Sequence, residues 1–242
     1  HLPQTHAMVK LFRKILDIVA PDTLIITETN VPHDENIAYF GSNGEEAQMV
    51  YNFTLPPLLF HAIVKKDARA LSKWARGLAL PDRRNTFFNF TASHDGIGVR
   101  PLEGILPDSE IALLAERVTL NGGRISYRMN PDGSQSPYEL NITYVDAMGS
   151  PEPEDPFHAQ RFLVSQAVAL SLPGVPAVYI HSVIGTRNWT EGVVETGLAR
   201  SINRRKLAVE EIEQQLKNPD DLRAKIFHPY LEMIRIHRNQ PA

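Results

Sequence analysis

Two carboxylates follow uncharged, strand-like runs in this chain of 242 residues. Glu28 ends the run TLIITE at residues 23–28, and Asp95 lies in the turn Ser-His-Asp-Gly at residues 93–96, after the aromatic run at 87–91. Chemistry at a glycosidic bond needs one carboxyl group that protonates the leaving oxygen and others that stabilise positive charge at the sugar carbon. The two residues therefore favour glycoside chemistry. Glu28 is the candidate acid, because a carboxyl group partly removed from water holds its proton more readily.

Each of these residues also has a structural interpretation. A glutamate at a strand end commonly caps a helix or pairs with an arginine, and this is the more frequent role when Glu28 is considered alone. His94 and Asp95 offer a hydrogen-bond donor and an acceptor side by side to a polyhydroxylated ligand. A purely structural His-Asp pair remains the alternative.

The amino-acid composition and motifs exclude several other kinds of catalytic or metal site. The chain has no cysteine, so disulfides, thiolate metal sites and cysteine nucleophiles are excluded. The nine histidines show no HExxH spacing, and Ser93 lacks a GxSxG context, so we expect neither a metal ion nor a cofactor.

The net charge and the hydropathy pattern limit the kinds of binding partner that we expect. The 25 basic and 28 acidic residues give a net charge of -3, which offers no basic field for nucleic acid. No apolar run approaches the roughly 20 residues of a membrane span, and the first residues show no charged region followed by an apolar one, so we expect no secretory signal. We expect a soluble, cytoplasmic protein without nucleic-acid or membrane partners.

Periodicity predicts alternating helices and strands. The first 20 residues have helical apolar spacing, and strands are predicted at 23–28, 49–53, 87–91 and 175–180. Helices are predicted after Pro57, at 67–78, at 157–172, near 206–217 and at 220–238. Four parallel strands of this kind make half of a (β/α)8 barrel, in which functional residues follow the strands. A doubly wound open sheet is the alternative, although no glycine-rich phosphate loop supports it.

Several motifs carry a family resemblance. TETN at 27–30 and ASHDGIG at 92–98 resemble the acid/base and transition-state-stabiliser motifs of the α-amylase superfamily, glycoside hydrolase family 13. HDGIGVRPLEGIL, PYELNITYVDAM, GVPAVYIHSVIGTRNW and TGLARSINRRKL follow in the order found in its sucrose phosphorylase-like branch. The resemblance runs through nearly the whole chain.

The resemblance implies a role for each matching residue. Glu28 would be the general acid/base, Asp95 the transition-state stabiliser and His94 a ligand of glucose hydroxyls. Arg200 would contact the glucose ring or its neighbouring carboxylates.

Tyr138, Glu139 and Asn30 would form the acceptor side, the part of the site that binds the group to which glucose is joined. Tyr138 and Glu139 lie in a segment that resembles a mobile loop. Glutamate at 139 and asparagine at 30 depart from the glutamine and histidine usual in sucrose phosphorylase, which favours an acceptor other than that of sucrose. For phosphate, the sequence offers Arg100, Arg128 and Arg187, each of which could equally be a surface residue.

The resemblance also implies what the chain lacks. The family's nucleophilic aspartate lies in an arginine-x-aspartate motif, and no such motif occurs in the 242 residues. The chain then corresponds to the second half of the barrel, with partial-barrel segments 1–96 (helix 4 to strand 7) and 151–242 (helix 7 to helix 8) around an inserted loop subdomain at 97–150. Half a barrel leaves two open sheet edges, so we expect a fragment, inactive alone, that associates with an N-terminal half or with itself.

Three functions stay open on sequence grounds. The first is a retaining α-glucoside phosphorylase, which transfers glucose from an α-glucoside to inorganic phosphate and gives glucose 1-phosphate. The second is a hydrolase or transglucosidase that uses the same carboxylates. The third is a sugar-binding or assembly fragment without turnover.

Overall fold

The computed structural model describes residues 2–80, 82–152 and 154–240. The strands are β1 (Ile26–Thr27), β2 (Met49–Tyr51), β3 (Thr86–Asn89), β4 (Ile97–Gly98), β5 (Arg124–Met129), β6 (Gln135–Asn141) and β7 (Val175–Pro176). The helices are α1 (Pro3–Val19), α2 (His33–Ile37), α3 (Leu55–Lys65), α4 (Arg69–Arg76), α5 (Asp108–Leu120), α6 (Tyr144–Ala147), α7 (His158–Ser171), α8 (Ile180–Val183), α9 (Thr190–Thr196), α10 (Val209–Leu216) and α11 (Leu222–Arg238). Short 3₁₀ helices span Ala38–Phe40, Arg100–Leu102 and Ala199–Asn203.

Four strands form a parallel sheet in the order β1-β2-β3-β7, which confirms the predicted number of parallel strands. Each strand of this sheet pairs with the next one along the chain. The order has no reversal of the kind that defines a doubly wound sheet, so it favours the half-barrel over the alternative. β1 and β7 are the two edges of this sheet.

The strands are shorter than their apolar runs. Only Ile26 and Thr27 of the run at 23–28 pair with β2. The prediction of a strand through residue 180 is wrong, because β7 ends at Pro176 and α8 begins at Ile180. Glu28 nevertheless follows its strand directly, as predicted.

The two faces of the parallel sheet differ. Val50 and Phe87 are opposite each other in the register and are buried in a small cluster with Tyr39 and Phe40. The other face carries Tyr51, whose ring lies 4.6 Å from that of Phe88 and 5.2 Å from that of Phe90. In a closed barrel, this aromatic layer would face the interior.

Residues 97–141 form a second, antiparallel sheet in the order β4-β6-β5. Its core is continuous with that of the helices, since Leu114, Leu140 and Phe162 belong to one buried cluster. In this sheet β5 and β6 form a hairpin, and α5 precedes it in the chain. The division of the chain at residues 96 and 150 stays a prediction.

A buried amide holds the end of β3 against two helices. Gln166 in α7 accepts hydrogen bonds through Oε1 from the Thr91 hydroxyl and from the Tyr230 hydroxyl of α11, each at 2.9 Å. Burial raises the pKa of Tyr230, so its hydroxyl remains a donor at neutral pH. Gln166 therefore fixes the segment that leads into the Asp95 turn.

No helix in the described part of the chain combines the length and the apolar character that a membrane crossing requires. The helix α1 is amphipathic as predicted, yet its apolar residues Phe12 and Ile18 are 52% and 83% exposed. That face of the chain has no cover from the described residues.

We expect Gln166→Met to lower the free energy of unfolding by about 2–4 kcal/mol, because two buried hydroxyl groups lose their acceptor. Urea denaturation measures this difference. Gln214→Met, at an exposed position of α10, is the matched control and should change the stability by less than about 0.5 kcal/mol. Equal effects of the two substitutions would show that the buried network contributes nothing.

Candidate active site

An open cleft of about 210 Å³ lies at the carboxyl ends of β1 and β3. Seven of the ten candidate residues named from the sequence line it, and Phe53, Gly96 and Gly98 complete the wall; the seven are Glu28, Asn30, His94, Asp95, Tyr138, Glu139 and Arg200. Residues up to 172 positions apart in the chain thus meet at the place where a barrel has its active site.

Glu28, His94 and Asp95 form the centre of the cleft. One side-chain ligand atom of each lies within 4.8 Å of those of the other two. Asp95 is partly buried, whereas Glu28 and His94 are exposed. The expectation that Glu28 is partly removed from water is therefore wrong for this chain, because β1 is a sheet edge and the cleft opens beside it.

The same three residues have the donor atoms for a metal ion. Oxygen and imidazole ligands at these separations suit several divalent cations, although exposed acidic groups are common without one. The expectation of a site that uses no metal stays a prediction.

Two guanidinium groups face Asp95. Nη1 of Arg200 lies 2.9 Å and Nη2 of Arg204 lies 3.1 Å from Oδ1 of Asp95. Arg200 also donates through Nε and Nη2 to Oε2 of Glu139, at 3.1 and 2.8 Å. The hydrogen bonds that Arg200 donates to Glu139 are the main cause of the raised pKa of Arg200, and the charges of Glu139 and Asp95 add to it. Arg200 thus joins two carboxylates in one ion-pair chain.

Glu139 is a buried strand residue. Tyr138 and Glu139 lie in β6, which pairs with both β4 and β5, so the prediction of a mobile loop at this point is wrong. Glu139 is 4% exposed, and its Oε1 accepts a hydrogen bond of 2.5 Å from the backbone N–H of Gly96. Its carboxylate therefore holds the Asp95 turn and Arg200 in place.

Asn30 fills the space beside Gly98. Its Nδ2 donates to the Tyr138 carbonyl at 3.5 Å, and its Oδ1 is buried without a partner among the described residues. A Cβ atom at Gly98 would lie only 2.5–2.8 Å from the amide atoms of Asn30. At Gly96, a Cβ atom would meet the backbone oxygen of Leu140 at 2.6 Å. Close approach to a backbone atom requires glycine at position 96, whereas at position 98 the nearest atoms belong to the end of a side chain.

The arginines predicted as phosphate ligands lie elsewhere. Arg187 pairs with the buried carboxylate of Asp146 and lines a separate pocket of about 510 Å³ near the first residues of α7 and α11. Arg100 and Arg128 both pair with Glu103, at 3.3 and 2.9 Å. Their ionic partners hold them in these positions, and none of the three lines the cleft.

Three residues at the site were not predicted from the sequence. Arg204 contacts Asp95, Asn203 contacts the same turn and Phe53 lines the cleft. In the 3₁₀ helix Ala199–Asn203, residues three positions apart lie on the same side, which places Asn203 on the side of Arg200, and Arg204 directly follows the helix. No pattern in the sequence predicts this short helix. Phe53 gave no signal beyond its position two residues after a strand.

Comparisons with known proteins agree with the resemblance. No family model matches the chain. Three glucosylglycerate phosphorylases are 47–50% identical to it, and the one from Escherichia coli is 49% identical over 99% of this chain and 43% of its own length. The sucrose phosphorylase of Agrobacterium vitis is 31% identical over 80% of this chain and 38% of its own. The chain spans about two-fifths of the length of the curated relatives it matches.

The fold is that of a solved phosphorylase. The crystal structure of sucrose 6F-phosphate phosphorylase from Thermoanaerobacter thermosaccharolyticum matches the whole chain with a TM-score of 0.82, over 45% of that protein and at 20% identity. This confirms the predicted α/β fold as part of a (β/α)8 barrel.

We expect Gly96→Ala to lower the free energy of unfolding by about 1–3 kcal/mol, because the new methyl group meets a backbone oxygen that cannot move without shifting β6. Gly98→Ala is the matched control, since its methyl group meets only the end of the Asn30 side chain, which can rotate. Thermal unfolding of both variants checks this, and an equal loss in both would contradict the explanation.

Proposed function

We propose that this chain, a homologue over its whole length of the glucosylglycerate phosphorylases, carries part of the active site of a retaining α-glucoside phosphorylase. The observation that carries the proposal is the meeting of Glu28, His94 and Asp95 within 4.8 Å in one cleft, at the carboxyl ends of parallel strands. Cleavage of a glycosidic bond uses such a group of carboxylates and hydrogen-bond donors.

In this proposal Glu28 gives a proton to the glycosidic oxygen as the bond from that oxygen to C1 of glucose breaks. Asp95 stabilises the positive charge that develops at the sugar ring, and His94 binds glucose hydroxyls. A carboxylate nucleophile attaches to C1, and an oxygen of phosphate then replaces it while Glu28 recovers the proton from phosphate. The products are glucose 1-phosphate and the released alcohol, with the anomeric configuration retained.

The nucleophile must be a further carboxylate. Glu139, the third carboxylate of the cleft, is buried and bound to Arg200 and to the Gly96 N–H, so it cannot attack a sugar. The curated relatives extend well beyond the matched segment, and we place the nucleophile in that further part. Retention then requires it to lie roughly 5–5.5 Å from Glu28.

Glucosylglycerate is the donor that we propose. The relatives named for it are 47–50% identical to this chain, whereas sucrose phosphorylases reach 31% at most among the relatives compared. Asn30 and Glu139 support an acceptor side unlike that of sucrose phosphorylase, with Tyr138 beside them. Arg200 and Arg204 are the cations nearest the cleft centre, and we propose them, in place of Arg187, as counter-charges for phosphate.

The exposed apolar surface supports association. Phe12, Ile15 and Ile18 of α1 are exposed, and Val175 is exposed in the edge strand β7. Burial of such surface is the main favourable term in protein association. We propose that an N-terminal barrel half, or a second copy of the chain, covers it. The cytoplasmic location stays a prediction.

The test of the proposed function is phosphate-dependent release of glucose 1-phosphate from glucosylglycerate, with sucrose and sucrose 6'-phosphate for comparison, by the protein that carries this chain. We expect Glu28→Gln to lower kcat by about 10²–10⁴-fold, because the leaving oxygen loses its proton donor. Glu195→Gln, at an exposed position, is the control and should leave kcat unchanged. Release of free glucose without phosphate dependence would instead establish a hydrolase, and full activity of Glu28→Gln would remove Glu28 from the mechanism.

A further inference from the structure

The turn that carries Asp95 is held by side chains. Among the described residues, no backbone-to-backbone hydrogen bond reaches the carbonyl groups of residues 93–95. The N–H of Asp95 donates to Oγ of Ser93 at 3.1 Å, and the N–H of Gly96 donates to Glu139. The position of Asp95 therefore depends on particular side chains rather than on a strand or helix.

All three carbonyl groups of this turn are bound from one segment. Nδ2 of Asn203 donates to the Ser93 carbonyl at 3.2 Å and to the Asp95 carbonyl at 2.8 Å. Nε of Arg204 donates to the His94 carbonyl at 2.6 Å. Asn203 is only 4% exposed, whereas the side chain of Arg204 is 41% exposed. Asn203 is thus the buried anchor of the turn.

Hydrogen bonding fixes the orientation of the Asn203 amide. Turning the amide over would place Oδ1 against two carbonyl oxygens, which cannot donate to it. The other end of the residue is also bound, because its backbone carbonyl accepts a hydrogen bond of 3.1 Å from the Tyr179 hydroxyl, just after β7. Asn203 therefore links the segment after β3 to the segment after β7.

We infer that Asn203 is a positioning residue for Asp95. It does not contact the reacting atoms. It holds the backbone on which Asp95 stands, so that the carboxylate stays beside Glu28 and between the guanidinium groups of Arg200 and Arg204. The expected effect on catalysis rests on the proposed function, whereas the role of Asn203 in holding the turn does not depend on it.

A displacement of Asp95 weakens the stabilisation of the transition state more than it weakens the binding of substrate. Stabilisation of developing charge requires groups that are held in place before the reaction, and a shift of about 1 Å can lower the rate by about 10²-fold. Loss of the Asn203 amide should therefore lower kcat and change KM much less.

Asn85 provides a matched control. It is also a buried asparagine, 2% exposed, whose Nδ2 donates to a backbone carbonyl, that of Ala47 at 2.7 Å, and whose Oδ1 has no partner among the described residues. It directly precedes β3, at the end of the strand opposite to the Asp95 turn. Asn85→Ala should therefore destabilise the protein to a similar extent without loosening the turn.

The experiment compares Asn203→Ala, the milder Asn203→Ser and Asn85→Ala in the protein that carries this chain. Hydrogen exchange of the amides of Asp95 and Gly96 reports on the turn, and phosphorolysis of glucosylglycerate reports on kcat and KM. We expect exchange at these two amides to become at least about tenfold faster in both Asn203 variants, but not in Asn85→Ala. We also expect kcat to fall by about 10- to 100-fold in the Asn203 variants.

Unchanged exchange in both Asn203 variants would overturn the inference, and so would faster exchange with an unchanged kcat. A Tm lowered equally by Asn203→Ala and Asn85→Ala, with the same kcat in both, would show that Asn203 is merely structural. If the parent protein turned over no α-glucoside, the proposed function would fail. The exchange comparison would then still decide whether Asn203 holds the turn.

Discussion

The buried carboxylate of Glu139 is the constraint on which the cleft depends. A charge that is 4% exposed must be neutralised by nearby donors, and here Arg200 and the Gly96 N–H provide them. Loss of either donor would leave the buried carboxylate with fewer hydrogen-bond partners, which destabilises the folded chain. Arg200 is in turn placed to contact Asp95. One buried charge in the antiparallel sheet thus organises a residue at the end of the parallel sheet.

This arrangement explains the close packing around the cleft. β6 can bring Glu139 to the Asp95 turn only if β4 lies directly beside it, and the turn can approach β6 this closely because residue 96 has no side chain. Asn30 occupies the space that Gly98 leaves. The antiparallel sheet is therefore a wall of the cleft, and its contacts decide where the carboxylate of Asp95 can stand.

Local patterns predicted the parallel strands and the main helices, because the spacing of apolar residues is visible within a short segment. They also predicted the positions of Glu28 and Asp95, since each carboxylate follows a strand-like run. The sequence could not show that Glu139 lies in a strand, since that depends on pairing with residues 97–98 and 124–126. Arg187 was misplaced for a similar reason: its partner Asp146 is 41 residues away. The family resemblance supplied Arg200, while Asn203 became visible only from its contacts with the turn.

The most direct test of this account is a crystal structure of the protein that carries this chain with glucose bound. The account predicts glucose in the cleft, with hydroxyl groups bound to Asp95 and His94, with C1 facing the carboxyl group of Glu28, and with Arg200 still joined to Glu139. Glucose bound elsewhere, for example in the pocket beside Arg187 and Asp146, would contradict it.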